Sequence, residues 1–241
     1  MDKRFEQNIG PISAREQAKL NRSKVFIAGC GGIGGYLLEH MVRAGIGSII
    51  CADGDRFEER DLNRQLLADE STLGLPKARC AAERARKIWP QIDIQGLDVY
   101  LDADNLSCLT GHADLVLDAL DNAVSRKALA GACRETGTAL AHGAVAGWRA
   151  QAALVRPGGP LYDILYATGA TKQPEGALPF AAAAAAAMQA ALAVGYLCGR
   201  EYSELSPVRG GYAENGGREF IENELYIFDL RAMRMDIVKY S

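Results

Sequence analysis

The segment Lys24 to Ala28 (KVFIA) runs straight into Gly29-Cys30-Gly31-Gly32-Ile33-Gly34-Gly35, and no other feature narrows the fold as far. A β-branched apolar run that ends on glycines predicts a strand feeding a tight turn. From Tyr36 to Ala44 the apolar residues recur at helical spacing, and Gly45-Ile46-Gly47 stops that pattern before a second strand, Ser48 to Ala52. The result is a βαβ unit of about 30 residues. The spacing Gly29-x-Gly31-x-x-Gly34 lets backbone N–H groups approach phosphate oxygens at a helix N-terminus, where the helix dipole favours negative charge. Asp53 follows about 20 residues later, placed to accept hydrogen bonds from ribose hydroxyls. The turn therefore predicts nucleotide binding, and by itself leaves NAD and ATP both open.

The same alternation continues along the chain. A polar loop, Asp53 to Asp69, precedes a helix opened by Pro76 and closed by Pro90. Strand-like runs follow at Ile92–Val99, Asp114–Asp118, Thr138–His142 and Arg149–Val155, with helical patterns at Ala103–Leu109 and Val124–Glu135 between them. This pattern predicts an α/β fold, a Rossmann-like doubly wound, mostly parallel sheet. Glu224–Leu230 and Met233–Lys239 add an antiparallel C-terminal extension. Residues 1–241 read as one domain: an N-terminal helical segment over 1–23, a nucleotide-binding core over 24–157, and a remainder over 158–241. That remainder holds a Gly/Pro-punctuated crossing loop, Gly158 to Pro179, an alanine-rich helix, and an irregular stretch, Tyr202 to Phe220.

Composition removes several classes. A net charge of −3 and a pI near 5.7 provide no basic field for nucleic acid. The six cysteines include no CxxC pair, so no zinc site is expected, and the start MDKRFEQNIG lacks a leader's apolar run. Reduced thiols in a cytoplasmic protein follow as the expectation. Ala177–Cys198 is long and uncharged enough to span a bilayer, but its alanines, Gln189 and Gly195 contribute little transfer energy. A buried helix is expected there, and no membrane partner.

Three positions after Asp53 bear on the choice of nucleotide. A triphosphate needs cations and amides around it, and Asn63, Arg64 and Gln65 supply donors in one step, with Lys77 as a second cation at the head of the next helix. Asp118 and Asp121 stand at the C-terminal end of a buried strand, where open α/β sheets place ligands. A carboxylate there can hold magnesium against phosphates, take part in acid/base chemistry, or, as Asp121 or Asn122, cap the following helix.

Five linked motifs now carry a resemblance. Gly29-x-Gly31-Gly32-x-Gly34, Asp53-x-Asp55, Leu62-Asn63-Arg64-Gln65, Gly74-x-Pro76-Lys77 and Asp118-x-x-Asp121-Asn122-x-x-x-Arg126 resemble, in order and spacing, the ThiF/MoeB/HesA family, relatives of ubiquitin-activating enzymes. Ala141 to Trp148 is similar to the small-residue strand exit of its shorter bacterial members. The resemblance implies ATP-dependent adenylylation of a carboxylate, usually the C-terminal Gly-Gly of a ubiquitin-like sulfur carrier, by a homodimer that uses magnesium. It implies Asp53 as the ribose-binding acid, Arg64 and Lys77 as phosphate-binding cations, Asp121 as the magnesium-associated aspartate, and Asp55, Asn63, Gln65 and Asn122 as neighbouring nucleotide contacts. Arg126 and Asn122 are expected to shape the site, and His142 to be a packed strand-end histidine.

The chain departs from the family pattern in three places. Gln7 stands where the family places an arginine that reaches a neighbouring subunit's ATP; either Arg4 or Arg15 substitutes, or adenylylation is slowed, or the protein acts on something less demanding. The zinc-binding CxxC pairs are missing, and no cysteine lies between Cys133 and Cys198, where some relatives carry a relay thiol. The alternatives are adenylylation of a tRNA-base or peptide carboxylate, a non-catalytic ATP-binding partner subunit, and an NAD-dependent oxidoreductase.

Overall fold

One sheet of eight strands organises the computed structural model, which describes residues 2–167, 176–199 and 224–240. The strands are β1 (Lys24–Ala28), β2 (Ser48–Ala52), β3 (Asp93–Leu97), β4 (Leu115–Asp118), β5 (Leu140–Ala146), β6 (Arg149–Val155), β7 (Glu224–Asp229) and β8 (Arg234–Lys239). Their order is β3-β2-β1-β4-β5-β6-β7-β8. The first five run parallel, and β6 to β8 continue antiparallel, as the pattern of runs predicts. From β1 the chain winds outward to β3 and then crosses back to β4. The ends of β1 and β4 therefore diverge into a crevice, the switch point at which such sheets bind ligands.

Seven α-helices lie among the described residues: α1 (Ala14–Leu20), α2 (Gly32–Ala44), α3 (Lys77–Ile88), α4 (Ala103–Gly111), α5 (Ala123–Thr136), α6 (Leu161–Leu165) and α7 (Pro179–Cys198). The parallel strands read as continuous apolar runs because both faces are covered. On one face α2, α3 and α7 bury Leu37, Met41, Ala78 and Ala185 against Val25 and Ile27; on the other, α4, α5 and α6 bury Leu106, Leu129 and Leu161 against Phe26 and Val116.

One outcome was not legible beforehand. Within the expected crossing loop the structure forms α6, which follows Pro160 as its N-cap and is anchored by buried Leu161 and Tyr162; tertiary burial overrides the Gly/Pro punctuation. Positions 168–175 of that loop, and the stretch Tyr202–Phe220, lie outside the described residues. Helix α7 has the length and composition of a membrane span, yet it packs on α2, β5 and β6. Its Gln189 is fully buried and donates from Nε2 to the carbonyls of Asp118 (3.0 Å) and Ala141 (2.7 Å), which ties the helix to the sheet. The approach is so close that a Cβ at Gly143 would lie 2.1 Å from Gln189 Oε1. Within the alanine run Ala182 lines the cavity described next, while Ala185 and Ala186 pack in the core.

Candidate active site

The turn after β1 needs glycine at Gly29, where φ is +96° and a Cβ would meet the Ala119 carbonyl at 2.8 Å. Gly34 needs it for a different reason: a Cβ there would lie 2.0 Å from the Gly29 carbonyl, so its absence lets α2 close onto the strand end. The crevice above this turn is a cavity of about 1040 Å³. Gly29, Gly31, Gly32, Asp53, Asp55, Asn63, Arg64, Gln65, Lys77, Asp121 and Asn122 all line it. Gly34 does not; its part in the turn is the close approach of α2 to the strand end.

Around the cavity the charges are arranged by one residue that motif reading passed over. Asp61 is 4% exposed and accepts from Gln65 Nε2 (2.6 Å) and the Glu58 N–H (3.1 Å), with Lys77 Nζ at 3.5 Å and Arg64 Nη2 at 3.8 Å. Its spacing to Arg64 and Gln65, three and four residues, is the signal that could have found it. Lys77 is itself buried, 3.6 Å from Asp55 and above the Phe57 ring at 5.9 Å. Arg64 Nη1 donates to the Arg60 carbonyl and to Asn63 Oδ1, both at 2.9 Å, and Asn63 Nδ2 donates to the Ala177 carbonyl at 3.3 Å. Gln65 lines the cavity with one of its two amide hydrogens already engaged. Its amide N–H group faces Asp61, and its Oε1 stays buried and unpaired beside Gly31.

Asp53 sits on the other side of the turn, its carboxylate accepting from the N–H groups of Cys30 (2.7 Å) and Asp55 (2.8 Å). Burial pushes its pKa up, against those two bonds and the charge of Lys77. Carboxylate lone pairs remain for ribose hydroxyls.

The two aspartates after β4 have separate fates. Asp118 is fully buried and does not line the cavity; its carboxylate accepts from the Tyr162 hydroxyl at 2.6 Å and the Leu120 N–H at 3.0 Å, with Arg126 Nη1 at 3.7 Å and His142 Nδ1 at 3.3 Å. This excludes the metal-holding role considered for it. Burial opposes its ionisation, but Arg126, His142 and Tyr162 together hold its pKa below the ordinary carboxylate value. Asp121 is exposed on the cavity wall, and the only side chain bonded to it among the described residues is Asn122, through Nδ2 at 3.3 Å. Asn122 is also the N-cap of α5, accepting from the Ser125 N–H at 2.9 Å, so capping and cavity lining fall on one residue. Arg126 donates to the carbonyls of Leu120 and Gly143 and clamps the loop that carries Asp121 to β5.

His142 belongs to this buried cluster. Gln151 Nε2 lies 3.0 Å from its Nε2, and a neutral ring with its proton on Nδ1 satisfies both Gln151 and Asp118. Burial lowers its pKa, with the Asp118 bond opposing. The sign follows: the unfolded chain takes up a proton below about pH 6.5 and the folded one resists it, so stability present above that pH is lost as the pH falls. Urea midpoints are expected to be flat above pH 7 and to decline below about 6.5. His142→Gln should flatten that decline; an unchanged slope would assign it to His40, whose pKa is also lowered by burial.

Gln7, Arg4 and Arg15 are exposed, and none lines the cavity of its own chain. Arg4 pairs with Asp2. Of the six cysteines only Cys108 is exposed, and no cluster of metal-ligating side chains occurs among the described residues.

Together the fold and the cavity define a doubly wound α/β protein with a glycine turn, two cations and an exposed carboxylate facing one crevice at the switch point of the sheet. The ThiF family model matches residues 5–240, and the chain belongs to that family. It is 32% identical to the SAMP-activating enzyme E1 of Haloferax volcanii over 66% of this chain and 57% of that protein. It is also 32% identical to the sulfur carrier protein ThiS adenylyltransferase of Bacillus subtilis, over 81% of this chain and 60% of that one. The match thus spans about three-fifths of these relatives' own length. The crystal structure of E. coli MccB with ATP superposes with a TM-score of 0.78 at 20% identity, covering 99% of this chain and 72% of that one, and shares the fold.

Proposed function

We propose that the chain uses ATP to adenylylate the C-terminal glycine carboxylate of a small ubiquitin-like sulfur-carrier protein and releases pyrophosphate. The observation that carries this is the single cavity that brings Gly31, Arg64, Lys77 and Asp121 together. At about 1040 Å³ it stands at the top of the range of roughly 300–1,000 Å³ typical of small-molecule sites, which leaves room for a second reactant beside a nucleotide. Ala144, Gly176, Ala177 and Ala182 in its lining have small side chains that suit a Gly-Gly tail. Relatives named for sulfur-carrier adenylylation support the same substrate class.

In the reaction a carboxylate oxygen attacks the α-phosphorus of ATP, the bond to the bridging oxygen breaks, and pyrophosphate leaves with the electron pair. A terminal carboxylate, with an ordinary pKa of about 3.5, is already ionised at pH 7, so no general base is needed. The barrier is repulsion between two anions and the charge gathering on the leaving group. Lys77 and Arg64 meet that charge from the α3 side, while the glycine turn presents backbone N–H groups to the phosphates. Asp53 holds the ribose. Asp121 is suited to magnesium, because Mg²⁺ is usually held by one or two carboxylates plus phosphate oxygens and not by a protein cage. When bound there, magnesium supplies neutralisation of phosphate charge. We place the enzyme in the cytoplasm as a homodimer, in which Arg4 or Arg15 of one subunit serves the other's ATP.

The deciding assay is ATP–pyrophosphate exchange with purified Gly-Gly carriers. Exchange that requires both the carrier's last glycine and a divalent cation is the expected result; ATP binding without exchange for any carrier would defeat the proposal.

A further inference from the structure

Two tyrosines one helical turn apart treat their protons differently. Tyr162 is buried and donates its hydroxyl proton to Asp118 at 2.6 Å. Tyr166, just beyond α6, is half-buried, lines the cavity, and receives a hydrogen bond from Arg126 Nη1 at 3.0 Å. A guanidinium has donors and no acceptor, so the Tyr166 oxygen can only accept there. Its own proton has no acceptor among the described residues and is left for the cavity. Burial raises the phenol's pKa against the pull of Arg126, and the group stays a donor at neutral pH.

The position of this hydroxyl limits what it meets. Arg126 also donates to the carbonyls of Leu120 and Gly143, so the oxygen is held between the loop that carries Asp121 and the course of β5. The ribose-side Asp53 follows β2, which is two to three strands away across β1, or roughly 10–14 Å at sheet spacing. The hydroxyl therefore lies on the Asp121 side of the cavity, away from Asp53.

Resting on the adenylylation reading above, we propose that Tyr166 is a substrate-binding residue that donates its hydroxyl proton to a phosphate or acyl oxygen at the reacting end. The Arg126–Asp118 pair acts behind it and fixes the direction of that donor.

The test is a calorimetric titration of wild type and Tyr166→Phe with adenosine, with ATP and magnesium, and with glycyl-sulfamoyl-adenosine, a stable mimic of a glycyl adenylate. The expected result is equal affinity for adenosine and about tenfold weaker binding by the variant where an oxygen acceptor is present. Loss with ATP identifies phosphate as the acceptor; loss with the mimic alone identifies the acyl group. Equal binding of all three ligands, or a matching loss with adenosine, overturns the proposal, the latter by showing that the change is structural. A wild type that binds none of the three fails at the nucleotide reading itself, a result distinct from a variant that merely equals wild type.

Discussion

Asp121→Ala is expected to lower ATP–pyrophosphate exchange by about a thousandfold while leaving the melting temperature within about 2 °C of wild type. The side chain is exposed and bonded only to its neighbour Asn122 among described side chains, so its removal opens no cavity and strands no buried partner. Surface changes of that kind usually fall within about 0.5 kcal/mol. What the variant loses, on the adenylylation proposed above, is an exposed cavity-lining carboxylate suited to magnesium. Measured exchange close to wild type, in a variant that melts normally, would take Asp121 out of the mechanism.

Asp118→Ala, three residues earlier, should do the reverse. Its carboxylate compensates Arg126 in a site from which water is excluded, and it also accepts from Tyr162 and the Leu120 N–H. Breaking a buried pair by removing one partner typically costs about 3–5 kcal/mol, because the remaining charge has no counter-ion. Against a total stability of about 5–15 kcal/mol for a domain, that approaches loss of the fold. Urea denaturation is the measurement, and the double variant Asp118→Leu with Arg126→Met provides the control. Replacing both charges with apolar groups should recover part of the loss; a double variant no more stable than Asp118→Ala would show that the hydrogen bonds, and not the stranded charge, dominate.

These neighbours show what a linear motif conveys. Asp118 and Asp121 stand in one motif at the end of one strand, and residue type alone assigns either of them to a metal. Only the position of Arg126, His142 and Tyr162 in space decides between them, and Tyr162 comes from a helix that propensity reads as loop. The glycine turn was legible because its constraints are local: an apolar run, a required positive φ, a helix N-terminus. Gln65 shows the opposite case. Its type announces a free donor, but Asp61, four residues back on the same turn, takes one of its two amide hydrogens. Asp61 itself went unnoticed since a buried carboxylate among charged neighbours in a polar loop looks like solvated surface. The strand order was legible only as a class, because β1 and β4 meet through crossovers whose lengths carry no register.

The meeting of β1 with β4 also has a consequence in time. The register joins Val25 to Leu115, and the Lys24 N–H bonds the Asp114 carboxylate across a separation of 90 residues. On a ribosome adding about 5–20 residues per second, the second neighbour of β1 emerges roughly 5–18 s after the strand itself. Until then the strand that ends in the glycine turn is an apolar sheet edge, the element most prone to pair with another chain. The carbonyl of Ala119 that packs against Gly29 belongs to the same late segment. A nascent chain therefore holds the first half of its nucleotide turn for many seconds before it has a site, and whatever shields that edge in the interval governs how much of the protein reaches its native state.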